Sequence, residues 1–139
     1  MNIGIVSTEP DLDSQIVTDF GHSFFLLIVD LDTMQYESFL SSDIDVVRGI
    51  GLKTAQLLVN KSAEVLVTHL CGTFCYETLS MTGIKVITNA NGKVRDVIDQ
   101  FKKGKLEFSS GANIEISKSF HDKKFDILKK AMEKYPGEL

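Results

Sequence analysis

Residues 49–75 read GIGLKTAQLLVNKSAEVLVTHLCGTFC, and this run decides the fold. Leu52, Ala55, Leu58 and Val59 recur at helical spacing and predict one apolar helix face, ending near Asn60-Lys61. Residues 64–68 (EVLVT) follow as a short, β-branched stretch of buried-strand type. Helix then buried strand is the signature of a parallel crossover in an α/β sheet. Directly past that strand stand His69, Cys71 and Cys75, the densest group of soft-metal ligand types in the chain.

The same alternation continues toward the carboxyl end. Residues 76–81 suggest a second helix stopped by Gly83, and residues 84–88 a fifth strand. After the Asn91-Gly92 turn, Val94, Val97, Ile98 and Phe101 mark a third helix ending at Gly104. Toward the amino end, residues 2–7 (NIGIVS) form an apolar strand, and residues 9–14 carry loop chemistry. Residues 24–30 are apolar on both faces and predict a central strand; a turn at Asp32-Thr33 leads into a third strand over 35–39, completing a hairpin. Residues 41–45 are polar and loop-like. The expectation is a three-layer α/β/α domain with a mixed five-stranded sheet over residues 1–107. Past residue 107 the character shifts to an extension, 108–139. It holds a Ser109-Ser110-Gly111 joint, a short edge strand over 113–117 and an amphipathic helix over 121–135. In that helix Phe125, Leu128, Met132 and Tyr135 line one face.

The chain of 139 residues fits one domain. Its net charge of −4 is unevenly spread: residues 1–47 carry nine carboxylates and no Lys or Arg. Such a half repels a phosphate backbone, so no nucleic-acid partner is expected. The longest apolar stretch, residues 24–29, is too short to cross a bilayer, and the amino-terminal residues lack the basic start of a secretory leader. With two cysteines and no such leader, reduced thiols in a cytoplasmic setting are expected.

The candidate site residues each have two readings. Thiolate and imidazole ligate zinc, copper and iron–sulfur centres, so His69, Cys71 and Cys75 are candidate metal ligands. They are one short of the four in a zinc finger, and Cys is also a common small core residue. A redox pair is a third reading. Gly49-x-Gly51 leads into a helix whose bare amides suit an anion, but Thr54 occupies the third glycine position of a dinucleotide fingerprint. The alternative is a tight lead-in to the helix. His22, in Phe20-Gly21-His22, is either a surface residue or a ligand at the same sheet end. No Gly-x-Ser-x-Gly elbow is present.

Taken in order, these segments resemble a known family. They are residues 1–7, Asp11-Leu12-Asp13-Ser14, Phe20-Gly21-His22-Ser23 running into residues 26–30, and Gly49-Ile50-Gly51 with residues 55–58. Gly72, Gly83-Ile84-Lys85-Val86, Gly92-Lys93-Val94 and Gly104-Lys105-Leu106 complete the series. The series is similar to the dinitrogenase iron–molybdenum cofactor-binding family, the NifX-like nitrogenase accessory domain. The resemblance implies a ribonuclease H-like motif and a non-enzymatic protein. Its cargo would be a metal–sulfur cluster of iron and/or molybdenum, a cofactor precursor or related thiometallate. Gly49, Gly51, Thr54, Gly72 and His22 would then line the cluster site beside His69, Cys71 and Cys75. Partners would be cluster donor or recipient proteins, with no membrane and with a homodimer as one candidate assembly; a regulatory module without cargo is the alternative. The chain departs from the family where a Gly-Pro is common, having Gly72-Thr73, and at Cys75, where a small residue such as Ala is common. Metal-dependent nucleases of this fold need a carboxylate in the first strand, and residues 2–7 have none.

Overall fold

The computed structural model describes residues 1–19, 23–44 and 52–114. Phe20-Gly21-His22, Gly49-Ile50-Gly51 and the helix expected over 121–135 lie outside them. The described elements are β1 (Asn2–Ser7), β2 (Phe25–Asp30), β3 (Tyr36–Leu40), α1 (Leu52–Asn60), β4 (Ala63–Val67), α2 (Thr73–Met81), β5 (Lys85–Ile87) and α3 (Val94–Lys102).

The sheet runs β3-β2-β1-β4-β5. The hairpin pairs β2 antiparallel to both β1 and β3, whereas β1, β4 and β5 run parallel. This is the mixed five-stranded sheet of the expected three-layer α/β/α arrangement. Alternation along each strand assigns its two faces. Val6, Leu26, Ile28, Leu66 and Val86 pack with Ala55 and Leu58 of α1 and Leu79 of α2. Ile3, Ile5, Leu27, Val29, Val65, Val67 and Ile87 pack with Val94, Val97 and Ile98 of α3. Among the described residues, two helices therefore cover one face and one the other. Both faces of β1 and β2 are buried, so their runs are almost continuously apolar. Each fully buried aliphatic side chain contributes about 1.5–3 kcal/mol.

Two local readings change. Residues 41–45, read as a loop, begin with a 3-10 turn over Ser41–Ile44, in which Ser41 and Ile44 are buried. The second helix begins at Thr73, three residues before the expected start. Thr73 and Phe74 are weak helix formers, but the face Cys75, Thr78 and Leu79 is buried at helical spacing, and that packing sets the start. Among the described residues no helix is long and apolar enough to cross a membrane.

Candidate functional site

Parallel β1, β4 and β5 all end on one edge of the sheet, and their following loops meet there. In α/β sheets this is where ligands bind. Phe24 and Ser41 lie at the same edge: Ser7 pairs with Phe25, and the Ser41 amide donates to the Phe24 carbonyl at 2.9 Å.

The loop after β4 carries the histidine and the first cysteine. His69 is half-buried. Its Nδ1 lies 2.9 Å from the Ala90 carbonyl oxygen. A carbonyl can only accept, so Nδ1 carries a proton, and in that tautomer of the ring Nε2 is the nitrogen left to act as a ligand. That is how imidazole ligands are commonly oriented. Asn89, in the left-handed region at φ 65°, donates its amide to the His69 carbonyl at 2.9 Å.

Gly72 is the N-cap of α2, extended at φ −73° and ψ 170°, with no side-chain cap hydrogen bond. The Tyr76 amide donates back to the Gly72 carbonyl at 2.9 Å. Among the described residues, the Thr73 and Phe74 amides have no acceptor. The first turn of α2 holds no acidic residue, so no carboxylate of that turn offsets its positive end. The amino end of α3 is different: Val94 donates to the Ser14 carbonyl at 2.8 Å and Arg95 to the Leu12 carbonyl at 2.9 Å. Of these two helix ends, α2 is the open one, and open helix amides suit an anion.

Beneath this end lie the thiols. Cys71 precedes the N-cap and Cys75 sits in the first turn, with sulfurs 2.8 Å apart. They are 1% and 5% exposed and belong to the α1/α2-side core. Two thiolates on one tetrahedral ion with metal–sulfur bonds of about 2.3 Å would stand roughly 3.7 Å apart. To chelate one ion, the pair must separate.

A residue that the motif reading passed over closes the loop. Asn113 Oδ1 accepts from the Cys71 amide at 2.7 Å, and its Nδ2 donates to the His69 carbonyl at 2.8 Å and to Asn89 Oδ1 at 3.0 Å. The Asn113 amide donates back to the Cys71 carbonyl at 3.0 Å, and Ile114 bridges Gly72. Residues 109–114 thus strap the strand-end loops, anchored by the Ser109 amide on Val86 at 2.7 Å. Only the part-buried backbone groups that Asn113 matches mark this role, and it has no local sequence signal.

The structure brings Cys71, Gly72 and Cys75 together at the start of α2 and places His69 on the adjoining loop. His69 and the thiols do not converge: among the described residues no three His, Cys, Asp or Glu side chains gather as a ligand set. Thr54, in the first turn of α1, is fully buried, and its hydroxyl has no partner among the described residues. Gly49, Gly51 and His22 lie outside the described residues.

Fold and site together define a three-layer α/β domain with an anion-compatible helix end, an imidazole and a thiol pair at its strand-end loops. The chain belongs to the dinitrogenase iron-molybdenum cofactor family, whose sequence profile matches residues 1–104. It is similar to the apo form of the orange protein from Desulfovibrio gigas, with 29% identity over 81% of this chain and 96% of that one and a TM-score of 0.72. It is also similar to a NifB-like protein from Thermotoga, with 32% identity over 77% of this chain and 91% of that one and a TM-score of 0.63. Comparison with curated proteins gives no match.

Proposed function

We propose that this chain binds an anionic metal–sulfur cluster as cargo, carrying or scaffolding it without catalysing a reaction, in the cytoplasm. The observation that carries the reading is the amino end of α2, with no carboxylate in its first turn, at the sheet edge whose adjoining loop also carries His69. The Thr73 and Phe74 amides offer donors to sulfide or oxo groups, and the imidazole offers one directional ligand. Family membership supports a cargo related to the iron–molybdenum cofactor. Cluster donors or recipients would be its partners.

One observation favours the alternative, a regulatory module without cargo. The loop after β1 brings Glu9, Asp11 and Asp13 to the same sheet edge, and carboxylates oppose an anion.

The test is anaerobic titration of the full chain with tetrathiomolybdate, with and without ferrous iron, followed optically and by metal analysis after desalting. Thr73→Pro is the informative variant. Proline suits the first helical position and removes only an unused N–H, and the extended Gly72 accepts a following proline. Stoichiometric uptake, weakened about tenfold by Thr73→Pro and by His69→Ala, is expected. No uptake, or uptake indifferent to both substitutions, rejects this site.

A further inference from the structure

We infer that Cys71 and Cys75 form a reversible dithiol–disulfide pair whose access to oxidant is controlled by the Asn113 strap. The inference does not depend on cargo binding. The sulfurs already lie 2.8 Å apart, and a sulfur–sulfur bond is about 2 Å. Four-residue spacing within a regular helix would strain such a bond. Here Cys71 stands ahead of the helix, and the extended Gly72 turns the chain between it and Thr73. The pair therefore meets across an N-cap and not across a helical turn.

Burial sets which oxidants reach the pair. Both thiols are at least nine-tenths covered, so a bulky disulfide cannot approach without the loop opening. Hydrogen peroxide is small and uncharged. One cysteine sulfur attacks a peroxide oxygen, the O–O bond breaks, and the leaving hydroxide takes up the thiol proton as water, leaving a sulfenic acid. The second sulfur displaces the sulfenic oxygen, which leaves as a second water with the second thiol proton. Two thiols and one peroxide give one disulfide and two waters. A small dithiol reverses the reaction. Opening of the loop requires release of the hydrogen bonds between Asn113 and the backbone of Cys71 and His69. The strap thus sets how often the pair is exposed.

The experiment treats the reduced full chain with dilute hydrogen peroxide, quenches with catalase, alkylates, and maps the products by mass spectrometry. The expected product is an intramolecular bridge in the peptide holding both cysteines, with the loss of two hydrogens, restored by dithiothreitol. Cys75→Ser should instead stop at the sulfenic acid of Cys71, trapped by dimedone. Asn113→Ala should oxidise about tenfold faster. If both thiols remain alkylatable after peroxide, or each runs on independently to sulfinic acid, the pairing is wrong. An Asn113→Ala rate equal to the wild type removes the gate.

Discussion

At Gly4 a single missing side chain decides how closely α1 can lie on the sheet. A Cβ built there would fall 2.5 Å from Leu58 Cδ2 and 3.3 Å from Leu66 Cδ1. Leu58 is a flexible side chain, but it is fully buried and has little room to retreat. Gly4→Ala should therefore lower stability by about 1–3 kcal/mol through overpacking, read as a lower midpoint in urea with unchanged slope. A wild-type midpoint would show that Leu58 can shift. Residue types made part of the site legible. His69, Cys71 and Cys75 could be singled out because few side chains ligate soft metals. Their arrangement could not be read: the thiols turn into the core while the imidazole turns to Ala90, and no spacing rule separates those outcomes. Asn113 was not legible either, since it holds the Cys71 amide from 42 positions away.

Elements were more readable than their ends. Strands and helices followed from apolar periodicity, because burial on one or both faces imposes it. The start of α2 was hidden, because tertiary packing and not propensity sets it. Its end was announced by Gly83, and the structure shows why. Gly83, at φ 81°, donates to the Ser80 carbonyl at 3.1 Å, and Ile84 donates to the Leu79 carbonyl at 2.9 Å. This is a Schellman closure with glycine at the left-handed position. Gly83→Ala has open space for the methyl but keeps the unfavourable φ. It should cost about 1 kcal/mol, checked by thermal or urea unfolding; a neutral result would mean the turn relaxes. A second element-level tie joins the loop after β1 to α3. Arg95 Nε donates to Asp13 Oδ1 at 3.0 Å, and this hydrogen bond, then the guanidinium charge, holds the Asp13 carboxyl below its ordinary 3.8. A depressed carboxyl takes up its proton less readily folded than unfolded. Its stabilisation is thus complete above the unfolded value and lost as pH falls through the folded one. Asp13→Asn should have a lower urea midpoint than wild type near pH 6, and the gap should close below about pH 4. A gap that persists unchanged to lower pH would show that charge is not its cause.

Charge across the whole molecule sets a condition on any cargo. Residues 1–47 hold nine carboxylates and no Lys or Arg. Some of that charge is answered by the later half: Asp13 by Arg95 and Glu37 by Lys61 at 2.9 Å. The net charge nevertheless stays at −4. A cluster anion must therefore approach against the field of the protein and be held by short-range contacts, the open amides of α2 and the imidazole. Those contacts are local and little screened, whereas the repulsion acts over distances that salt shortens, about 10 Å at 0.1 M. The two effects have opposite signatures in salt. If an anion were gathered by a basic surface, affinity would fall as salt rises. With repulsion at long range and dipoles at short range, tetrathiomolybdate should bind about threefold more tightly at 0.15 M than at 0.01 M potassium chloride. Thr73→Pro should weaken binding at both salt concentrations without altering their ratio, because it removes a contact and no charge. Binding that falls steeply with salt would place the anion among lysines elsewhere on the chain and away from the strand-end loops.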